Sequence, residues 1–144
     1  LNMLVRLLYA SRAVDPRPET IDAILTQSRQ FNPTSGITGI LCYSDDIFLQ
    51  VLEGGRDAVC EVFNTIVADP RHTSVRLLQF EEIGERRFGG WTMGQVNVKK
   101  ISPALLLKYG ERPELNPFAC AGRGSLALLE ELISTGLIAS HASC

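Results

Sequence analysis

Two polar side chains stand inside apolar segments of this 144-residue chain, and both could do hydrogen-bond chemistry. Gln50 lies between Leu49 and Val51, in the middle of an apolar run. Tyr9 lies near the end of another such run. A glutamine amide carries two donor hydrogens and an acceptor oxygen, and leaving a buried polar group unpaired costs about 1–3 kcal/mol. Each residue is either satisfied by neighbouring groups in the core or directed at a polar ligand, and the pattern alone leaves both interpretations open.

A second set of polar residues stands where predicted helices end. Asn32 follows the first helix, where asparagine commonly forms a cap or a turn. Asp69, Arg71 and His72 cluster after the second helix. A hydrolase could use such a cluster, and a solvated helix cap is the alternative. No cysteine or carboxylate stands at metal-ligand spacing from His72, so the sequence predicts no metal site.

The apolar periodicity predicts the elements that position these residues. Short apolar runs bounded by turn residues indicate five strands, and helical spacing indicates two helices between them. The predicted strands are 3–10, 36–43, 47–53, 74–83 and 90–98, and the predicted helices are about 18–30 and 56–68. The order β-α-β-β-α-β-β indicates an α+β sandwich of the ferredoxin-like type, with both helices on one face of the sheet.

The last part of the chain is expected to cover the opposite face. Side chains alternate along a strand, and both sides of the strand at 47–53 are apolar, so both must be buried. A short helix that begins near Ser102, a loop over 110–117 and an amphipathic helix over 125–138 are available for the second side. We therefore divide the chain into a domain at 1–100 and a C-terminal helical extension at 101–144.

The composition excludes several classes of protein. Fourteen basic and sixteen acidic residues give a net charge of −2, which provides no basic field for nucleic acid and no polybasic cluster for a membrane surface. No apolar run approaches the ~20 residues that a membrane-spanning helix needs. The four cysteines form no C-x-x-C pair, which favours a reducing, cytoplasmic setting over a disulfide framework.

Five stretches form a combined motif when they are taken in order along the chain. They are LLYASRA at 7–13, SRQFNPTSGITGILCY at 28–43, FLQVLEG at 48–54, DPRH at 69–72 and RRFGGWTMG at 86–94. This combination closely resembles the BLUF family, the sensors of blue light using FAD, from about Met3 to Val98. The resemblance covers about two thirds of the chain and implies a short BLUF protein with its flavin-binding domain at 1–100.

The resemblance also implies roles for individual residues. The flavin ring would lie between the two helices over the sheet face that bears Gln50, and light would drive electron and proton transfer from Tyr9 and a rearrangement of Gln50. Trp91 and Met93 would pass the change along the last strand to the C-terminal helices. Phe31 departs from the family, which usually has a polar residue there. The implied flavin contacts are Tyr9, Ile24, Ser28, Asn32, Phe48, Gln50, Ile66, Asp69, Arg71, His72 and Met93.

By this resemblance the chain is a photoreceptor that is not itself an enzyme, that signals to an unidentified protein partner and that could self-associate. Two alternatives stay open. One is a small ferredoxin-like hydrolase of the acylphosphatase type, which would use Arg71 and Asn32. The other is a regulatory module that binds a colourless ligand or a protein without flavin. Only the first interpretation requires a coloured protein.

Overall fold

A computed structural model describes residues 3–139 of the chain, so the first two residues of the predicted domain and the last five of the predicted extension lie outside the described residues. A five-stranded sheet in this range lies between two layers of helices. The predicted α+β sandwich is confirmed. The elements are β1 (Leu4–Ala13), α1 (Pro18–Ser35), β2 (Thr38–Ser44), β3 (Ile47–Gly55), α2 (Arg56–Ala68), β4 (His72–Glu82), β5 (Gly94–Asn97), a 3-10 turn (Val98–Lys100), α3 (Pro103–Tyr109) and α4 (Gly122–Leu132).

The sheet has the strand order β4-β1-β3-β2-β5. Neighbouring strands are antiparallel, apart from the parallel pair of β2 and β5. The two strands that carry the polar candidates, β1 and β3, are therefore adjacent and central. Their register places Tyr9 directly opposite Gln50. Directly opposed residues project to the same face of a sheet, so these two side chains can meet.

Alternation along β3 divides the interior into two cores. Phe48 and Leu52 point toward α1 and α2, whereas Leu49 and Val51 point toward α3 and α4. The prediction that the C-terminal helices cover the second face is confirmed. The helix-side core comprises Val5, Leu7, Tyr9, Ala13, Ile21, Ile24, Leu25, Ile37, Leu41, Phe48, Leu52, Val59 and Met93. The tail-side core comprises Leu8, Ile40, Cys42, Leu49, Val51, Phe88, Val96, Val98, Ile101, Leu106, Leu115, Leu126, Leu128, Leu129 and Leu132.

Helix α1 continues past its predicted end. Pro18 occupies the first turn, where its missing N–H is not needed, and the helix runs to Ser35. It ends at Gly36, which adopts a left-handed φ of 73° and donates its backbone N–H to the carbonyl of Asn32. The prediction that Asn32 lies just beyond the helix was wrong. The residue is buried in the last turn, because the helix stops only at the glycine that tolerates positive φ.

The last strand is shorter than predicted, and this changes the position of two candidate residues. β5 begins at Gly94, so Trp91 and Met93 lie on the irregular segment before it. Met93 is fully buried in the helix-side core, whereas Trp91 is half-buried and packs against the tail-side core. The prediction that both residues lie on the last strand is therefore wrong, and their side chains pack into different cores. The Thr92 and Met93 carbonyls bond to side chains of α1, and the Trp91 carbonyl accepts a single bond from the backbone N–H of Gly39.

Helix α4 is also displaced from its predicted range, since it begins three residues earlier and ends at Leu132. The chain then returns to the sheet. Ala139 exchanges two backbone hydrogen bonds of 2.9 Å with Gln95 of β5. Ile138 packs so closely on Gly94 that a β-carbon there would lie 2.5 Å from the isoleucine methyl. A larger residue at the start of β5 would therefore force the Ile138 side chain to shift.

Candidate functional site

A cavity of about 540 Å³ lies between α1 and α2, above the face of the sheet that carries Tyr9 and Gln50. This volume falls within the roughly 300–1,000 Å³ that is typical of small-molecule sites. The side chains that line it are Tyr9, Ile24, Gln27, Ser28, Gln30, Phe31, Asn32, Thr34, Gln50, Leu52, Glu61, Val62, Thr65, Ile66, Asp69, Arg71, His72 and Met93.

The floor of the cavity holds a hydrogen-bonded chain of three side chains. The Tyr9 hydroxyl donates to Gln50 Oε1. Gln50 Nε2 in turn donates to Met93 Sδ over 3.2 Å. All three side chains are almost fully buried. Since a thioether sulfur is a weak acceptor, the amide nitrogen is only partly satisfied by the protein. A ligand in the cavity can offer Gln50 a stronger acceptor.

Burial determines the protonation state of Tyr9. Removing the side chain from water raises the pKa of Tyr9 well above its ordinary value, and the negative charge of Asp69 raises it further. The phenol therefore keeps its proton and acts as the donor. The ring of Phe63 packs against it with 5.6 Å between centroids, which holds the hydroxyl toward Gln50.

Two polar residues of α1 approach the cavity from above. Asn32 uses Nδ2 to donate to the Thr92 carbonyl at 2.6 Å, and within residues 3–139 its Oδ1 has no partner. The Ser28 hydroxyl donates to the Ile24 carbonyl at 3.0 Å, which leaves the lone pairs of its oxygen available as acceptors. These side chains can therefore accept hydrogen bonds from a ligand as well as orient one.

The polar cluster at the end of α2 closes one side of the cavity. Arg71 and Asp69 form a bidentate pair, and this hydrogen bonding lowers the pKa of Asp69. Arg71 Nη2 also donates to Gln27 Oε1 at 2.7 Å. The buried His72 ring lies 2.9 Å from Ser11 Oγ through Nδ1, and burial lowers the pKa of His72. The neutral imidazole is therefore favoured.

The structure brings the predicted flavin contacts together at this cavity, with the exception of Phe48. That side chain is fully buried behind His72, with 5.2 Å between ring centroids, and it does not line the wall. Phe31, where the sequence departs from the family, lies at the rim and is half exposed.

Seven further residues, which the sequence did not predict, line the wall. Gln27, Val62 and Thr65 lie three or four residues from a predicted contact, a spacing that could have identified them. Leu52 projects to the same face of β3 as Gln50, so strand alternation could have identified it. The other three, for which no such spacing exists, are Gln30, Thr34 and Glu61.

The residues present fit a flat, conjugated ring with polar edges. Ile24 and Ile66 approach from opposite helices and supply apolar walls. Gln50 at the floor carries donors that a thioether satisfies poorly, and Asn32 carries an open acceptor and a second amide hydrogen. Ring nitrogens and carbonyls at the edge of a flavin would complement these groups.

Comparisons with known proteins agree with this chemistry. A family model described as sensors of blue-light using FAD matches residues 4–94. The photoactivated adenylate cyclase subunit beta of Euglena longa is 36% identical over 94 residues, which cover 64% of this chain and 11% of that protein. The chain thus spans about a tenth of this curated relative. No helix within residues 3–139 is long and apolar enough to cross a membrane.

Two solved structures match nearly the whole chain. The photo-activated state of BlsA superposes with a TM-score of 0.84 and 33% identity, covering 94% of this chain and 98% of that one. The dark state of BlrB, described as a BLUF protein, gives a TM-score of 0.79 and 36% identity with the same coverage. Both matches extend beyond residue 94 into the C-terminal helices. From its family match, its relatives and its cavity, this chain belongs to the BLUF family of blue-light sensors that use FAD.

Proposed function

We propose that Tyr9 and Gln50 are the photoactive pair of this blue-light sensor, and that its FAD ring lies in the cavity between α1 and α2. The observation that carries the proposal is the buried chain from the Tyr9 hydroxyl through the Gln50 amide to Met93 Sδ. The phenol of Tyr9 can be oxidised, the amide of Gln50 can exchange its donor and acceptor ends, and Met93 contacts that amide. These three side chains lie in one hydrogen-bonded chain at the floor of the cavity. Its walls suit a flat aromatic ring.

When bound, the flavin supplies absorption of blue light and an excited state that takes up an electron. Tyr9 would supply that electron, and its hydroxyl would release the proton along its existing bond to Gln50 Oε1. The amide could then present its other face, because rotation or tautomerisation exchanges its donor and acceptor ends. Tyr9 would be restored when it recovers both the electron and the proton. Since the site is buried, few hydrogen-bond arrangements satisfy it, and the change is discrete.

The remaining wall residues hold and orient the ring. We assign Ile24 and Ile66 to its two flat faces, and Asn32 and Ser28 to its polar edge. Asp69, Arg71 and His72 would bound the side that leads to the ribityl chain. The hydrolase alternative is not favoured, because the Arg71 fork that would bind an anionic substrate already bonds to Asp69 and Gln27. We therefore assign no catalytic reaction to this chain itself.

The signal would leave the site through Met93 and Trp91, which lie on opposite sides of the irregular segment before β5. From there it would reach the extension at 101–144 and a protein partner, or a second copy of the chain. A relative named as a photoactivated cyclase supports coupling of such a domain to an effector. A cytoplasmic setting stays a prediction, and it is consistent with the free thiols of the three cysteines within residues 3–139.

The test is the absorption spectrum of the purified protein before and after a blue flash. We expect a flavin spectrum that shifts slightly to the red and relaxes in the dark. Gln50→Leu should bind flavin but lose the shift entirely, because it removes both ends of the amide. The matched control is Gln79→Leu on β4, a half-buried glutamine outside the cavity, which should keep the shift. A colourless protein that cannot be reconstituted with flavin, or a normal photocycle in Gln50→Leu, would contradict the proposal.

A further inference from the structure

The irregular segment 91–93 is held in place by side chains of α1. Asn32 Nδ2 donates to the Thr92 carbonyl at 2.6 Å, and Arg29 Nε donates to the Met93 carbonyl at 3.2 Å. The two donors stand three residues apart, on one face of the helix. Successive carbonyls of the segment are therefore bonded to one helix. The bond from Arg29 therefore helps to fix the position of the Met93 main chain.

Arg29 occupies this position at a cost to the protein. Its Nη2 is fully enclosed by protein, and it is the one fully enclosed side-chain nitrogen or oxygen within residues 3–139 that lacks a hydrogen-bond partner. Asn32, by contrast, lines the cavity. In the same part of the chain, no carboxylate forms an ion pair with Arg29. A buried donor without a partner is unfavourable, and an apolar side chain of the same length would avoid that penalty. Stability alone therefore does not account for an arginine here.

Met93 is held in two places by two different elements. Gln50 Nε2 bonds its sulfur at the floor of the cavity, and Arg29 bonds its carbonyl from α1. A rearrangement of the Gln50 amide would break the first of these bonds and leave the second in place. The bond from Arg29 would then favour the arrangement of Met93 that the structure shows, beside Gln50.

We propose that Arg29 is a positioning residue of the light switch, which holds the Met93 carbonyl in its dark arrangement and so sets how fast the lit state decays. The proposal rests on the function assigned to Tyr9 and Gln50. Arg29 does not itself line the cavity, and in the described part of the chain its side chain bonds only to the main chain of Met93. It acts on the segment that carries the change away from the site.

The first test is the dark-recovery rate of the flash-induced red shift in the full chain. Arg29→Met keeps the length of the side chain and removes the donor, so recovery should slow by about threefold to tenfold, as expected for losing part of a charged hydrogen bond. Arg29→Lys, which restores a charged donor, should recover within about twofold of wild type on the same scale. The control is Arg123→Met on the exposed face of α4, which should leave the rate unchanged.

The second test needs no flavin. The backbone N–H of Gly39 donates to the Trp91 carbonyl at 3.0 Å, so its hydrogen exchange reports how often the segment opens. In the flavin-free protein, Arg29→Met should speed exchange of this amide by about tenfold. The amide of Leu8, in the centre of the sheet, should exchange as in wild type. Arg29→Lys should restore slow exchange at Gly39.

The outcomes separate this proposal from the function on which it rests. If wild-type protein shows no red shift, the photoactive pair is wrong. If wild type responds to light but Arg29→Met recovers at the same rate or faster, the role of Arg29 is wrong. If Arg29→Met fails to bind flavin or to fold, Arg29→Gln replaces it, and unchanged exchange of Gly39 in that variant overturns the proposal.

Discussion

The two cores on opposite faces of the sheet differ in how their buried polar groups are satisfied. On the tail side, the buried carboxylate of Glu53 accepts from Arg6 Nε at 2.7 Å and from the backbone N–H groups of Arg87 and Phe88. Around it the packing is apolar. On the helix side, Gln50 bonds to a thioether, and the cavity leaves polar atoms open.

This difference indicates that the helix side of the sheet carries the functional site and that the tail side mainly stabilises the fold. A polar group satisfied entirely within the protein contributes specificity of structure and leaves nothing for a ligand. A polar group left partly open marks the place where a ligand completes the network. The tail side should therefore respond to mutation mainly in stability, and the helix side mainly in flavin binding and in the response to light.

The largest expected effect is a loss of stability when the tail-side core alone is disturbed. Leu129→Ala, at a fully buried position of α4, should lower the free energy of unfolding by about 2–5 kcal/mol, because it leaves a cavity in a packed core. Urea unfolding measures the loss. The control is Leu107→Ala, at a half-exposed position of α3, which should change stability by less than about 0.5 kcal/mol. If Leu129→Ala also lost the flavin absorption or its light-induced red shift, the two cores would not differ in the way that we propose.

A matched truncation on the helix side should give the opposite result. Ile66→Ala removes apolar surface from the cavity wall, so flavin should bind about tenfold more weakly. The free energy of unfolding of the flavin-free protein should fall by less than about 1 kcal/mol, since the side chain already faces open space. Val67→Ala, next along α2 but exposed, is the control and should change neither quantity. Titration of the apoprotein with flavin tests this, and equal affinities of Ile66→Ala and wild type would contradict it.

The smallest expected effect is a pH dependence that belongs to the helix side. Burial lowers the pKa of His72, and the nearby charge of Asp69 opposes part of this shift. The unfolded chain, with a histidine pKa of about 6.5, binds the proton first as the pH falls. The stability due to neutral His72 is therefore present above about pH 6.5 and is lost as the pH falls toward the lowered pKa.

His72→Gln keeps a hydrogen-bonding side chain beside Ser11 without a titrating group. Between pH 7.5 and pH 5.5, the flavin-free wild type should lose up to about 1.4 kcal/mol of stability per pH unit more than this variant. Asp69 does not interfere, because its pKa is lowered and its contribution is lost only below about pH 4. Parallel stability curves for the two proteins would show that His72 does not titrate on unfolding.

Patterns within single elements predicted much of this molecule. The alternation of side chains along β3 correctly predicted that Phe48 and Leu52 face one core, and that Leu49 and Val51 face the other. Both faces of the strand are apolar, so both are buried. The strand alternation could be predicted because it depends on neighbours a few residues apart. That Tyr9, Gln50 and the cluster after α2 share one site was implied only by the family resemblance, and these residues do line one cavity.

The errors lie where distant parts of the chain decide the local structure. The segment before β5 was predicted as strand, but side chains of α1 some sixty residues earlier bond its carbonyls. Phe48 lies on the predicted face of β3, yet its ring packs against His72 and does not line the cavity. Nothing in the local sequence shows that Pro33 can be accommodated inside α1. Long-range contacts of this kind require the three-dimensional structure.

The alternation in β3 has a mechanical consequence for the photoreceptor. Gln50 is flanked on both sides by residues whose side chains are locked into the tail-side core, Leu49 and Val51. Its peptide groups cannot turn without disturbing that packing, so the rearrangement that we propose for the amide would leave the tail-side layer in place. Motion can pass from one layer to the other most easily at the edge of the sheet. There Trp91 and Met93 lie on opposite sides of the irregular segment before β5. The centre of the sheet is thus rigid, and the segment before β5, at the edge of the sheet, is the part best able to move.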